Sequence, residues 1–403
     1  MSPSETQPLP HAFDVTVDIA LPVTIQQDLH LLFTRDVFAL ANPLLTTVLT
    51  PRDQGVTPRV LVFWDEGLGQ AWADMPARIT AWFATWADKV RLVGEPVRVP
   101  GGERVKNDRT QLERVWEAID AVHLCRHSYV LVAGGGAVLD MVGFGAATAH
   151  RGIPIVRLPT TSLSQADGGI GVKNGVNYFG KKNWLGSFVV PHAVVNDAAF
   201  LHALPIRERR AGLVEAVKVS LIRDAAFFDY IEAHTAALAV CEREPFEAVV
   251  RTSARHHLEH IATAGDPFEK GSARPLDFGH WAAHKLEQMT DFTLGHGEAV
   301  AIGLALDVLY AERIGLLPSV TADRILAVLS GIGFALYHPA LAIRRGDGRR
   351  MLLEGLEEFR EHLGGRLTIP MVRAPGDKLD VHSMDAGHVD AAIDTLAARY
   401  GHG

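Results

Sequence analysis

Apolar and polar positions follow one pattern in the first half of this chain and another in the second. Short unbroken apolar runs mark the first half. Arg59-Val60-Leu61-Val62-Phe63-Trp64-Asp65 reads as a strand buried on both faces and ending in a carboxylate. Residues 128–133 form a second run that enters Gly134-Gly135-Gly136, and residues 153–159 form a third. Between them, residues 72–88 and 109–126 repeat their apolar positions at helical spacing. This alternation predicts a parallel sheet covered by helices. After about residue 196 the pattern changes. Residues 205–262 and 278–334 are rich in Ala, Leu, Glu and Arg at helical spacing, which predicts a mostly helical second half. The stretch 264–276 is expected to be a loop from its Gly, Pro and Ser content, and so is the polar, glycine-rich run 164–187. Residues 1–12 are expected to be a disordered lead-in. The expected organisation is an α/β domain over 13–196 followed by a helical domain over 197–403.

Composition agrees with that division and removes several function classes. A chain of 403 residues that is 48% hydrophobic exceeds one typical core, so two domains are expected. The net charge is −8, from 39 basic and 47 acidic residues, which argues against a nucleic-acid partner. An anionic substrate would need a local basic pocket. Only two cysteines occur, Cys125 and Cys241, so neither a disulfide framework nor a cysteine zinc site is expected. The N-terminal residues lack a basic region followed by an apolar run, and no apolar stretch is long enough to span a bilayer. A cytoplasmic, reducing location is the expectation.

Candidate chemistry lies in three places. Glu215 and Lys218 are three apart on an expected helix and share a face. His280 and His284 are four apart on another, and His296 opens Gly-Glu beyond it. One carboxylate and two imidazoles from different segments suit a catalytic metal with an open position. A histidine pair at this spacing is more often an ordinary exposed or capping pair, so it does not identify a metal site alone. The Gly134-Gly135-Gly136 turn opens a helix toward Asp140 and suits a phosphate, although it is not Gly-x-Gly-x-x-Gly and a plain structural turn reads equally well. Asp65 is placed to accept from a ribose, and Thr160 and Thr161 follow the next strand. The 164–187 run holds Asp167, Lys173, Asn174, Asn177, Lys181, Lys182 and Asn183, an inventory suited to polyol and phosphate.

In this order the motifs resemble those of the sugar phosphate cyclases, the superfamily of 3-dehydroquinate synthase. The resemblance is carried by Gly101-Gly102-Glu103-Arg104-Val105-Lys106, the glycine turn through Asp140, Arg151-Gly152 and Leu158-Pro159-Thr160-Thr161. It continues through Gln165-Ala166-Asp167, Lys173, Gly180-Lys181-Lys182-Asn183, Glu215 to Lys218, Phe278-Gly279-His280, His284 and His296-Gly297-Glu298. It implies an α/β N-terminal nucleotide-binding domain and a mostly α-helical C-terminal metal-binding domain, with the active site in the cleft. The implied cofactors are NAD⁺ and Zn²⁺, or Co²⁺ in its place. The implied reaction oxidises one substrate hydroxyl, eliminates phosphate, reduces the ketone again and closes a carbocycle by aldol addition. Glu215, His280 and His296 are implied as metal ligands. Asp167, Lys218 and Asp277 are implied to hold substrate hydroxyls. Lys173, Asn183 and His284 would surround the phosphate, with Arg151 arriving from the partner of a homodimer. Asp65, Glu103, Lys106, Gly134, Gly135, Gly136, Asp140, Thr160, Thr161 and Lys182 fall to the nucleotide.

The chain departs from the dehydroquinate enzymes where they hold a carboxylate. In register, Glu259 stands at their lysine and Ala273 at their arginine, with Arg274 one residue away. Asp277 replaces an asparagine, and Asn174, Trp184 and Trp281 also differ. A substrate carboxylate facing Glu259 and Asp277 would meet like charge. The resemblance is therefore strongest to the sedoheptulose 7-phosphate cyclases and to an EboD-like branch. A neutral phosphorylated ketose is the expected substrate, and a valiolone-type C7 cyclitol the product. A 3-dehydroquinate synthase or a metal-dependent polyol dehydrogenase is the alternative.

Overall fold

Val60–Trp64 and Tyr129–Ala133 are continuous apolar stretches with no polar face, and such strands are stable only with both faces covered. The computed structural model describes residues 21, 23, 25–53, 55–266, 268 and 276–401. Among these, β1 (His30–Thr34), β2 (Arg59–Asp65), β3 (Arg91–Leu92), β4 (Val97–Val99), β5 (Tyr129–Gly134), β6 (Ile155–Pro159) and β9 (Ala193–Asp197) form one parallel sheet. Its order is β1-β9-β6-β5-β2-β3, and β4 also pairs with β2. The adjacent strands β2, β5 and β6 end at Asp65, Gly134 and Pro159. Their carboxyl ends therefore bring Asp65, the glycine turn and Thr160 to one edge, where open α/β sheets bind ligands. Helices Met75–Thr85, Arg109–Ala121 and Gly136–Thr148 lie within or close to the expected ranges.

The polar run 164–187 is not the loop expected from its composition. Ser164–Gly168 is a π-helical turn, and β7 (Lys173–Tyr178) pairs antiparallel with β8 (Lys181–Phe188). Phe179 (φ 51°) and Gly180 (φ 70°) make the two-residue connection. Both central residues are left-handed, as a hairpin turn of this length favours. Asn and Lys on the strands hid the hairpin, because period-two reading needs an apolar face.

The second half is helical, as expected, with Ile206–Arg223, Arg243–Thr263, His280–Met289, His296–Arg313, Ser319–Ile332, Glu354–His362 and Ala386–Tyr400 as its longer helices. A small hairpin, β10 (Ile369–Ala374) and β11 (Asp377–Val381), was not foreseen. Ile206–Arg223 and His296–Arg313 are buried along most of their length and form the centre of the core. Glu215 and Lys218 lie in that centre. The lead-in 1–12 and most of the 264–276 stretch, with Ala273 and Arg274, lie outside the described residues. No described helix is long and apolar enough to cross a membrane.

Candidate active site

Three helices meet at one cluster. Glu215 comes from the middle of Ile206–Arg223, while His280 and His296 are the first residues of their helices. Glu215 Oε1 lies 3.7 Å from His296 Nε2 and 4.0 Å from His280 Nε2. One donor atom from each of the three falls within 4.8 Å of the others. Two ligands bound to one zinc at about 2.0–2.1 Å stand no more than about 4.2 Å apart, and both measured separations meet that limit. Each histidine is turned by its other ring nitrogen. His280 Nδ1 faces the Phe278 carbonyl at 3.1 Å, and His296 Nδ1 faces Glu287 Oε2 at 3.2 Å. Such partners fix the tautomer and leave Nε2 for a metal. Burial, then Lys218 and His296, holds the His280 imidazole well below its usual pKa, so it is neutral as a ligand must be. Burial pushes the Glu215 carboxyl up to about 7 against the pull of Lys218. A buried carboxylate and two oriented imidazoles, with one donor atom of each drawn together, are a donor set that fits a divalent cation.

Lys218 Nζ lies 2.5 Å from Glu215 Oε2 and 2.9 Å from Asp167 Oδ2. Burial opposes its charge, but Asp167 and Glu215 outweigh burial and hold the ammonium above the usual lysine range. For Asp167 burial is likewise outweighed, by Lys218 and His257, and its carboxyl is held well below the usual range. His257 Nδ1 stands 3.0 Å from Asp167 Oδ1. Neither His257 nor Glu287 was foreseen, because each reads in sequence as an ordinary helical residue. His284 is partly buried and packs its ring 5.4 Å from His280 and 6.0 Å from His296. Burial, then His280 and Lys182, keeps it neutral.

On the nucleotide side, Gly135 N–H points to Asp65 Oδ2 at 3.4 Å, and a Cβ on Gly101 would lie 2.4 Å from Asp65 Oδ1. Thr160 N–H donates to the Gly134 carbonyl at 3.0 Å, and Thr161 Oγ1 contacts Ser164 Oγ at 2.8 Å. Lys106 is buried, 2.8 Å from Asp140 and 3.9 Å from Glu103, and also bonds Asn183. A cleft of about 1510 Å³ runs from Asp65, Gly101, Gly135 and Thr161 to His296 and Gly297. It joins the strand ends to the three-helix cluster.

Several residues sit differently from the sequence expectation. Lys182, expected at the nucleotide, reaches Glu287 Oε1 at 3.5 Å, beside the cluster. Asn183, expected at the substrate phosphate, contacts Lys106 and donates its backbone N–H to Asn177. Glu259 pairs with Arg255 at 3.6 Å and His256 at 3.5 Å and is half exposed. It lies two residues, about 200° around the helix, from His257, which faces Asp167. Glu259 therefore does not face the cluster, and the like charge expected from it is absent there. Asp277 is half-buried just before the helix of His280, Lys173 is exposed at the start of β7, and Arg151 is exposed.

The sequence matches two family models, 3-dehydroquinate synthase N-terminal over residues 96–211 and 3-dehydroquinate synthase C-terminal over residues 212–345. The chain belongs to the 3-dehydroquinate synthase family. It is 38% identical over 296 residues to a 3-dehydroquinate synthase of Halorhodospira halophila, covering 72% of this chain and 81% of that protein. It is 34% identical over 328 residues to a 2-epi-valiolone synthase of Actinosynnema mirum, covering 81% of this chain and 80% of that one. Among solved structures it resembles ValA, a 2-epi-5-epi-valiolone synthase of Streptomyces hygroscopicus with NAD⁺ and Zn²⁺ bound. The TM-score is 0.82 and the identity 29%, over 94% of this chain and 99% of that one. The family thus includes enzymes named for different cyclic products, so membership gives the cyclase class and leaves substrate choice to the site.

Proposed function

We propose that this enzyme is a sugar phosphate cyclase that turns sedoheptulose 7-phosphate into a valiolone-type cyclitol with release of phosphate. In this reading residues up to about 196 form the nucleotide domain and the rest the metal and substrate domain. The observation that carries it is the convergence of Glu215, His280 and His296 beside the Lys218–Asp167 pair, with His296 lining one end of the cleft. Bound NAD⁺ would accept and return a hydride, and a bound divalent ion, Zn²⁺ or Co²⁺, would polarise a substrate oxygen.

The residues then divide the remaining work. Glu215, His280 and His296 would hold the ion. An ammonium has three donors. Asp167 takes one from Lys218 and Glu215 stands against it as an ion pair, which leaves a donor to hold a substrate hydroxyl. Asp167 keeps lone pairs on both oxygens after meeting Lys218 and His257, so it orients a second hydroxyl. His284, kept neutral beside the cluster, would offer a ring nitrogen to the substrate phosphate as a hydrogen-bond partner. Lys173, with Arg151 of a second copy, would bind the phosphate. Asp65, Thr160, Thr161 and the glycine turn would take the nucleotide, with Lys106 and Asp140 supporting that wall.

Asp277 favours the neutral heptulose, because a carboxylate there accepts from a hydroxyl and repels another carboxylate. The second reading is a 3-dehydroquinate synthase, supported by relatives of that name at 36–39% identity. Phosphate release from each substrate in competition separates the two. Sedoheptulose 7-phosphate should turn over with catalytic NAD⁺ and no accumulation of NADH, and the carboxylated substrate of dehydroquinate synthase should not. Equal or better turnover of the carboxylated sugar would favour the second reading, and NADH in proportion to product would favour a dehydrogenase.

A further inference from the structure

The segment that joins Asp167 to Lys173 is built around a buried cation. Arg157 sits inside β6 and is fully buried. Its Nη1 donates to the carbonyls of Gly169 and Gly171, at 3.1 and 2.6 Å. Its Nη2 donates to the carbonyl of Lys173 at 2.9 Å and to Asn174 Oδ1 at 2.6 Å. These four acceptors are carbonyls and an amide, and none is a carboxylate. Burying a guanidinium among neutral dipoles is costly. An aliphatic side chain at this strand position would avoid the cost, as Val156 and Leu158 do on either side.

The acceptors all lie within residues 169–174. The guanidinium thus gathers alternate carbonyls of one short segment that would otherwise be short of partners. Asn174 extends the joint. A Cβ on Gly143 would lie 1.9 Å from Asn174 Oδ1, so this amide fits only because position 143 is glycine. Gly143 belongs to the helix Gly136–Thr148, which the glycine turn opens. The close packing of Asn174 against Gly143 therefore links that helix to the segment between Asp167 and Lys173.

We propose that Arg157, with Asn174 and Gly143, is a positioning joint that sets the Asp167-to-Lys173 segment against the nucleotide helix and thereby sets the grip on the phosphorylated substrate. The proposal rests on reading Asp167 and Lys173 as substrate contacts. Misplacing a substrate-binding group by about 1 Å costs up to about 100-fold, whereas a joint that served stability alone would lower every property together.

The test uses the full chain loaded with Zn²⁺ and NAD⁺, with Arg157→Lys, Asn174→Leu and Asn174→Asp. Asn174→Leu leaves Arg157 in place if the arginine variant does not fold. KM and kcat for phosphate release from sedoheptulose 7-phosphate are measured, with the affinities for inorganic phosphate and NAD⁺ and amide exchange over residues 168–174. Arg157→Lys and Asn174→Leu should raise KM and weaken phosphate binding about 10- to 100-fold. They should speed exchange in that segment and leave NAD⁺ affinity unchanged. Asn174→Asp keeps the acceptor and should restore KM. Unchanged KM and phosphate affinity in Asn174→Leu overturns the proposal. So does a loss shared equally by NAD⁺ affinity and melting temperature. If the wild-type enzyme releases no phosphate from the heptulose, the proposed function fails, while phosphate affinity and exchange still decide on the joint.

Discussion

Glu287 is a buried carboxylate whose two oxygens face different partners. Oε2 lies 3.2 Å from His296 Nδ1 and Oε1 lies 3.5 Å from Lys182 Nζ. Burial raises its pKa, but His296 and Lys182 outweigh burial and bring it down to about 2. It is therefore an anion at any working pH, aligned to accept a hydrogen bond from His296 Nδ1–H and leave Nε2 for a metal. Replacing such a partner weakens metal binding by about 10–100-fold. Glu287→Gln should show a loss of that size for Zn²⁺ in chelator competition, with a metal-free melting temperature like the wild type. Equal zinc affinity in the two proteins would show that Glu287 does not orient His296. Chelation of the wild type should lower its melting temperature, since a ligand at 1,000 times its Kd contributes about 4 kcal/mol. The sequence could not nominate Glu287. Acidic residues every few positions are normal on solvated helices, and only the fold shows that this one points inward.

At the level of elements, the metal cluster depends on how closely two helices approach. Gly279 (φ 76°) precedes the His280 helix, and a Cβ on Gly303 would lie 2.0 Å from the Gly279 carbonyl oxygen. Asp307, one turn beyond Gly303, accepts from Gly279 N–H and from the Trp281 indole, both at 2.9 Å. It thus fixes the backbone on either side of His280. Asp307 is wholly buried without a cation among these partners, and burial pushes its carboxyl up to about 7 from 3.8. The folded state therefore holds a proton that the unfolded chain releases. That contribution to stability is complete below about pH 3.8, declines as the pH rises and is gone above about pH 7. The stability of the wild type relative to Asp307→Asn should fall between pH 4.5 and 7.5, by a few kcal/mol at most. Urea unfolding at several pH values measures it, and a difference independent of pH would contradict the assignment. Elements were legible where burial left a simple signature. β2 and β5 are unbroken apolar runs, and the helical half repeats at helical spacing. The β7–β8 hairpin was not legible, since its residues serve polar contacts, and Arg157 looked like an ordinary interruption of a strand.

For the whole molecule, the division into a sheet half and a helical half was readable from pattern. The Glu215–His280–His296 cluster could be suspected from residue types but gained force only through family resemblance, because its members are 65 and 16 residues apart in sequence. How the halves are held was not readable. Arg35, just after β1, makes two contacts of 2.8 Å with Glu247 on the helix Arg243–Thr263, and His202 joins them at 2.7 Å. Lys182 on β8 reaches Glu287 on the helix His280–Met289. Such long-range pairs leave no periodic trace.

Arg151 poses the remaining question at this scale. It is exposed, and it follows His150 at φ 50° with its own φ at 64° and Gly152 at 116°. Non-glycine residues held in this region cost about 1–3 kcal/mol each. Gly or Asn at these positions would lower that cost, so the strained turn marks Arg151 as a candidate for function. The proposed dimer gives it a target, the phosphate in the partner subunit's site. Arg151→Ala should then raise KM for the phosphorylated substrate while melting temperature and dimer mass stay unchanged. Mixed dimers make the test decisive. In a dimer of one Arg151→Ala chain and one His296→Ala chain, the first chain keeps its own metal ligands and receives Arg151 from the second. Subunit exchange between these two impaired variants should therefore recover activity. If Arg151 served its own chain's site, that dimer would hold no complete site and mixing would recover nothing. A fully active monomer would equally rule the dimer out as the catalytic unit.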